Sequence, residues 1–379
     1  MAFVLTEEQN MLRDMAAQFF SEQVPTANLR KIRDENSPDG YDKAVWEQIV
    51  ELGFAGILIP ENYGGTGFGP TGLGIVMEEA GKTLAATPLF STSCLGAGLI
   101  LELGNEEQKQ SLLPKVADGS LLLALALEES AHHRPTSIAT TAKKDGDSFV
   151  ISGEKTFVLD GHIANKLIVV ARTSGDKDDA QGISLFLVDA NTPGISLNRT
   201  LMVDSRNAAN ITLDAVKVPA SNLLGDLGGA SISLEKVLDL GRIIISAEML
   251  GGVETVFDTT LQYLKDRKQF GEIIGTFQAL QHRAAEMFCQ IEIAQSVVLD
   301  GLAALEENRN DVQRAASLAK ARLSETARLI TNEGVQMHGG IGMTDAVDVG
   351  LFIKRARVQA QTLGDANFHT DRYATLGSY

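Results

Sequence analysis

Only two cysteines, Cys94 and Cys289, occur in 379 residues, and they stand far apart. That count excludes a disulfide framework and any cysteine-based zinc site, and two ordinary reduced core thiols are expected. Basic residues are scarce as well: 33 Lys and Arg face 49 Asp and Glu, a net charge of −16. A field of that sign repels phosphate backbones, so no nucleic-acid partner is expected. Long apolar runs are missing. The nearest, Leu121 to Leu127, stops at Glu128, short of the roughly 20 residues a membrane span needs. The opening Met-Ala-Phe-Val-Leu passes at once into Thr6-Glu7-Glu8-Gln9, without the basic and long apolar regions of a signal peptide; a cytoplasmic protein off the membrane is expected. No Gly-x-Ser-x-Gly elbow, P-loop or His-Glu-x-x-His is present, which leaves hydrolase and phosphotransferase chemistry without an anchor.

What is there is ordinary globular material, 44% apolar and 22% charged, in a length that asks for two or three domains. The hydrophobic period divides it into 1–120, 121–230 and 231–379. The first stretch is helical: Thr6 and Gln9 form a capping box, Met11 or Leu12, Met15 and Phe19 follow at helical spacing, Asp42 to Leu52 is stopped by Gly53, and Glu106 to Val116 is a further short helix. The Ile59–Gly67 segment is too glycine-rich to be regular. From 121 the period becomes two, with strands at Ser148–Ser152, Lys166–Val170 and Gly182–Val188, a hairpin signal at Asp145-Gly146-Asp147 and a turn at Asn191–Gly194. Several short strands without intervening helices predict an antiparallel barrel or sandwich. After 231 two long stripes return: Leu280, Ala284, Met287, Ile291, Ala294, Val298, Leu302 and Leu305, then Val312, Ala316, Ala319, Leu323, Ala327 and Ile330. They predict a four-helix bundle with apolar surface left over for another subunit. The fold class expected is α+β, in the order helices, β domain, bundle.

Candidate chemistry is sparse. Gly67-Phe68-Gly69-Pro70-Thr71-Gly72 satisfies G-x-G-x-x-G, but no strand runs into its first glycine and Pro70 interrupts it, so a structural turn is expected. Glu128, Glu129, His132 and His133 lie close together, yet no other His or Cys cluster completes a metal site, and no metal is expected. Two segments carry more. Tyr263 to Gly271, followed by Phe277-Gln278, places Arg267 beside an interhelical turn where an arginine can grip a phosphate. Gln336-Met337-His338-Gly339-Gly340 offers bare backbone to which a ligand can come close.

Together with Pro60–Gly67 and Gly153-Glu154-Lys155-Thr156-Phe157, these segments resemble the acyl-CoA dehydrogenase family over essentially the whole chain. The resemblance implies FAD lying between the β domain and the bundle, and α,β-dehydrogenation of an acyl-CoA thioester to the 2-enoyl-CoA. Phe157 matches the aromatic that covers the flavin, with Val158 and Leu159 beside it and Leu127 on the other flavin-lining strand. Arg267, Phe270, Gln278, Gln336, Gly339 and Gly340 match the positions for the diphosphate and adenosine half, which the family draws from a neighbouring subunit. Arg242 matches an arginine near the CoA moiety. The reaction needs a carboxylate to take the α-proton while flavin N5 takes the β-hydrogen as hydride.

The sequence departs from the family here, because both positions for the glutamate base are glycine, Gly241 and Gly364. Asp365 is adjacent to the second, shorter and one position off, and is the candidate base. The Thr positions that contact flavin become Leu127 and Leu159. The tail from Gly364 to His369 resembles the small subunit of pimeloyl-CoA dehydrogenase and related bacterial heteromers. That implies either a homotetramer or an α2β2 assembly, with electron-transfer flavoprotein as acceptor. The alternatives are a non-catalytic subunit that completes an FAD site for a glutamate-bearing partner, and a flavin oxidase, for which nothing in the sequence argues.

Overall fold

A computed structural model describes residues 5–379. The first helices are α1 Glu7–Gln23, α2 Thr26–Asp34, α3 Lys43–Glu51, α4 Gly69–Lys82, α5 Ala97–Leu103 and α6 Glu106–Ala117. A sheet follows: β1 Leu123–Ala126, β2 Thr141–Asp145, β3 Ser148–Leu159, β4 Lys166–Arg172, β5 Ile183–Asp189, β6 Ile195–Leu201, β7 Asn207–Pro219 and β8 Leu223–Leu224. Then come α7 Ser231–Asp266, a hairpin of β9 Lys268–Gln269 and β10 Glu272–Ile273, α8 Gln278–Glu306, α9 Val312–His338, α10 Val349–Gln361 and α11 Ala366–Leu376. The predicted order of helices, sheet and bundle is therefore present.

Local chemistry explains the boundaries. Thr6 accepts from the Gln9 amide at 3.2 Å and the Gln9 side chain accepts from the Thr6 amide at 3.0 Å, a reciprocal cap that starts α1. Asp42 caps α3, and Gly53, at φ 77°, ends its turn. The buried stripe of α1 is Leu12, Ala16, Phe19 and Phe20, so of the expected residues Leu12 and Phe19 face in, while Met11 and Met15 face out. Cys94 is buried, with burial pushing its thiol pKa up, whereas Cys289 sits on an exposed face of α8 rather than in a core. Among the described residues one helix, α8, is long and apolar enough to cross a membrane by those measures alone, which the sequence reading did not anticipate. Its stripe of Met287, Ile291, Ala294, Val298 and Leu302 is buried in the bundle, where α8 packs against α9.

The described chain divides into two compact units, neither continuous in sequence. One holds Ile32–Gly69 and Ala86–Gly241, including the sheet. Its strand order is β6-β7-β3-β2-β4-β5-β8, with β1 paired to β4. The pairing is mixed rather than purely antiparallel: β1 runs parallel to β4 through Leu123↔Lys166 to Ala126↔Val169, and β2 meets the far end of the same edge at Thr141↔Arg172. A parallel pair needs a long crossover, and the β2–β3 hairpin, turning at Gly146 with φ 59°, lies within it. The sheet core gathers Phe149, Ile151, Val169, Phe186, Ile211 and Val216.

The other unit holds Met1–Lys31, Pro70–Ala85 and Arg242–Tyr379. Here α4 and α7 cross so closely that only glycine fits. A Cβ built on Gly251 would lie 1.9 Å from the Glu78 carbonyl oxygen, and one on Gly81 would lie 2.0 Å from that of Glu248. The obstacle is backbone on both sides, so Gly251→Ala must push two helices apart. A loss of about 3 kcal/mol is expected, seen as a lower urea midpoint at unchanged slope.

Candidate active site

In the sheet unit the strand β3 runs past the segment the sequence marked, through Phe157 to Leu159. Its pairing with β7 slips between Lys155 and Val158, a bulge that leaves Thr156 and Phe157 out of the ladder. Phe157 is held at φ 53°, a left-handed conformation that a bulky residue adopts only under constraint. The freed amides find other partners: Thr156 N donates to the Glu128 carbonyl at 2.7 Å, and Phe157 N donates to Asn210 Oδ1 at 3.3 Å. The structure thus brings the end of β1, Leu127 and Glu128, beside the bulge. Leu127 and Val158 are buried, Val158 within the sheet core, while Phe157 and Leu159 are half-buried.

Lys155 supports this edge from below. It is fully buried, and its Nζ donates to the Leu127 carbonyl at 3.1 Å and to Glu129 Oε1 at 2.7 Å. Burial pushes its pKa down to about 8, against the opposing pull of Glu129. Burial works to raise the Glu129 carboxyl, but Lys155 and the amides of Thr140 and Ala139 hold it below its ordinary value. Glu128 Oε1 lies 2.5 Å from His133 Nδ1, and His132 is exposed. Glu128, Glu129 and His133 are therefore spent on a lysine, two amides and each other.

In the helical unit six flagged residues come to one end. Tyr263, in the last turn of α7, stacks on His338 at 4.4 Å between ring centroids and donates its hydroxyl to the His338 carbonyl at 3.3 Å. That contact brings the α7 terminus and the β9–β10 hairpin beside the C-terminus of α9. Arg267, Phe270, Gln278, Gln336, Gly339 and Gly340 are all exposed there. Phe270 is 90% exposed at φ 56°, with Phe277 6.4 Å away between ring centroids. Among the described residues no side chain or backbone group pairs with the Arg267 guanidinium or the amides of Gln278 and Gln336. A Cβ on Gly339 or Gly340 would meet no atom within 4 Å; the backbone at φ 64° accounts for glycine at 339, while nothing in this chain's own packing demands it at 340.

Still in the helical unit, the turn between α10 and α11 carries the candidate base. Asp365 is the N-cap of α11: one carboxylate oxygen accepts from the Phe368 amide at 2.8 Å, and the other has no hydrogen-bond partner among the described residues. Its backbone amide is likewise without one. Asp365 lines a cavity of about 350 Å³ with Ser324, Arg328, Thr331, Arg357 and Gln361. Arg242, expected near a CoA group, is fully buried, donates its Nε to the Leu363 carbonyl at 3.3 Å and lies over the Phe368 ring at 5.8 Å. The sequence reading missed Lys155, the Tyr263–His338 stack and Lys320, a fully buried lysine under the same turn. Lys320 had a signal, since it falls on the apolar stripe of Ala316, Ala319 and Leu323.

The chain matches three domain families in order: acyl-CoA dehydrogenase N-terminal domain at residues 6–120, middle domain at 124–216 and C-terminal domain at 228–375. Probable acyl-CoA dehydrogenase YngJ of Bacillus subtilis is 34% identical over 364 residues, 94% of each chain. Caffeyl-CoA reductase-Etf complex subunit CarC of Acetobacterium woodii is 30% identical over 359 residues, 93% of each. Among solved structures, butyryl-CoA dehydrogenase from Megasphaera elsdenii superposes with a TM-score of 0.91 at 28% identity, covering all of both chains.

Proposed function

The chain belongs to the acyl-CoA dehydrogenase family, and from that membership we propose that it oxidises the Cα–Cβ bond of an acyl-CoA thioester to the 2-enoyl-CoA, with FAD as its cofactor. The observation that carries this reading for the chain's own residues is the free donor set at the bundle end. An unpaired guanidinium, two unpaired amides, an outward aromatic and two glycines with open space above them match what a diphosphate and an adenine require. The strained bulge at Phe157 supports the assignment of Leu127, Phe157, Val158 and Leu159 to the flavin end, Val158 through its backbone only. Bound FAD supplies the hydride acceptor.

Asp365 is proposed as the base. Its uncommitted carboxylate oxygen takes the α-proton, and its unpartnered backbone amide is a donor for the thioester oxygen on which charge develops. Arg242 acts from beneath, through the Leu363 carbonyl. The exposed Phe270, Phe277, Ile341 and Met343 make an apolar surface unusual for a lone chain and support assembly into a homotetramer or an α2β2 complex. The Acetobacterium relative, named as part of an Etf complex, supports electron-transfer flavoprotein as acceptor, and we place the protein in the cytoplasm. One observation favours a partner-supplied base: both family positions are glycine and Asp365 is already engaged in capping.

The test is anaerobic reduction of the purified protein by acyl-CoA, with Arg267→Ala as companion. The wild type is expected to retain FAD and lose its yellow colour on adding thioester. Arg267→Ala should bind FAD about 10- to 100-fold more weakly, the worth of a lost charge-assisted contact. Flavin that no acyl-CoA reduces would remove the catalytic assignment, and unchanged FAD affinity would remove Arg267 from the site.

A further inference from the structure

Lys320 has no part in the chemistry described so far, yet its position costs stability. The side chain is fully buried on α9, and among the described residues no carboxylate pairs with it. Its Nζ donates instead to the Ala360 carbonyl at 3.0 Å, the Gly364 carbonyl at 3.0 Å and, more distantly, Ser324 Oγ at 3.5 Å. An ammonium taken from water and satisfied by neutral groups alone is unfavourable, and a methionine of similar volume would fill the same space without that penalty. Burial, with the charge of Arg242 adding to it and that of Asp365 opposing it, pushes its pKa down to about 7, which accords with the same point.

The two carbonyls it holds flank a strained turn. Leu363 lies at φ 56° and Gly364 at φ 106°, two consecutive residues in the left-handed region, one of them not glycine. Lys320 grips the turn at Ala360 before it and at Gly364 within it. Arg242 Nε at 3.3 Å and His369 Nε2 at 2.9 Å both meet the Leu363 carbonyl. The residue that leaves this clamp is Asp365. Nothing in α9 packing calls for a lysine here, since its stripe neighbours are alanine and leucine.

We propose that Lys320 is a positioning residue for α-proton removal: its ammonium, bonded to Ala360 and Gly364, fixes the turn that places Asp365 in the lining of the cavity. The inference rests on Asp365 being the base. A carboxylate displaced by an ångström loses on the order of 100-fold in rate, so the effect falls on turnover rather than on binding.

The experiment compares wild type, Lys320→Met, Lys320→Gln and Asp365→Ala as full-length, FAD-loaded proteins. The substrate is whichever of a straight-chain, a branched-chain and an aryl-substituted acyl-CoA reduces the wild type fastest. Flavin reduction, exchange of the α-hydrogen with solvent deuterium, flavin content and melting temperature are measured. Lys320→Met is expected to lower reduction and α-exchange about 100-fold at saturating thioester, with KM and flavin content near wild type and a melting temperature close to wild type, relief of the buried ammonium offsetting two carbonyls left without their donor. Lys320→Gln, whose amide still donates to a carbonyl, should recover part of the rate. An unchanged rate in Lys320→Met, or a variant that fails to fold or sheds its flavin, overturns the proposal, because the lysine is then inert or merely structural. Asp365→Ala separates the two levels: full activity there sinks the base assignment and this inference with it, whereas loss there beside an unaffected Lys320→Met sinks this inference alone.

Discussion

An Arg355→Met protein is expected to unfold at clearly lower denaturant, with a loss of about 3–5 kcal/mol. Arg355 on α10 reaches Glu248 on α7 by three contacts, Nε to Oε1 at 3.1 Å and Nη2 to Oε1 and Oε2 at 2.8 and 3.1 Å. The side chains are 12% and 2% exposed, so water cannot replace the lost partner. Methionine keeps the volume and removes the charge, which isolates the electrostatic part. Glu248 then stays buried without its arginine, and its main chain is already fixed by the α4 crossing at Gly81.

The double replacement Glu248→Met with Arg355→Met removes both charges and should recover most of the loss, since a buried pair is worth far less than either half left alone. Urea unfolding of the two single variants and the double, run as a cycle, measures the coupling directly. Lys320→Met lies in the same unit and is expected to change stability far less, because relief of the buried ammonium offsets the loss of its donor to two carbonyls. The difference is in what is left behind: Glu248 would keep a buried charge that has lost its arginine, while Ala360 and Gly364 would keep only neutral carbonyls.

Much of the architecture was legible because the hydrophobic period changes sharply. Leu280 to Leu305 at threes and fours can only be a helix stripe over that length, and Lys166 to Val170 with Ile183 to Val188 is too β-branched and too short to be one. The cap at Thr6 and the stop at Gly53 are local chemistry, so they too can be read from neighbouring residues. Sheet pairing is different. Nothing near Leu123 says that it lies parallel to Lys166, because the partner is set by the crossover and by shared burial. Strand β3 was cut short at Ser152 in the sequence because Gly153-Glu154-Lys155-Thr156 thins the apolar alternation and the bulge shifts its phase. The charged residues under the site were hardest. Arg and Lys are outside by default, so Lys155, Arg172, Arg242 and Lys320 draw notice only where a structural period carries them inward. Lys320 does so on its stripe, and Lys155 does so by alternation from Phe149 and Ile151. Arg267 and its neighbours were found by a different route, the family motif, since an exposed arginine beside a turn has no physical distinction until its lack of partners is seen.

Arg172→Met is expected to release two loops of the sheet unit while leaving the sheet itself intact. Arg172 is 6% exposed, and its guanidinium serves as a hub for main-chain carbonyls. Its Nη2 donates to Thr136 at 2.9 Å, Lys177 at 2.8 Å and Asp179 at 2.9 Å, its Nη1 to Gln181 at 2.8 Å, and its Nε to Ile138 at 3.1 Å. These carbonyls belong to the 134–139 and 173–182 segments, which otherwise have little regular structure to hold them. Methionine fills part of the volume and supplies no donor, so the carbonyls of Ile138, Asp179 and Gln181 lose their donor at once, while those of Thr136 and Lys177 keep only the Ile138 amide. A local loss of at least 3 kcal/mol is expected at about 1 kcal/mol or more per unmet group, reduced where water reaches in. Hydrogen exchange should accelerate at the Ile138 amide, which donates to the Lys177 carbonyl, and through 174–182, while amides of β3, β4 and β7 stay protected. The consequence reaches the proposed flavin edge by a short path. The 134–139 segment continues from Glu128 and Glu129, and Glu129 accepts from the Ala139 and Thr140 amides at 2.6 and 3.0 Å. Loosening those amides weakens the hold on Glu129, then on Lys155, and so on the Leu127 carbonyl that Lys155 supports. Uniform exchange across the whole sheet unit in Arg172→Met would mean that the arginine stabilises the sheet globally, and the loop-clamp account would fail.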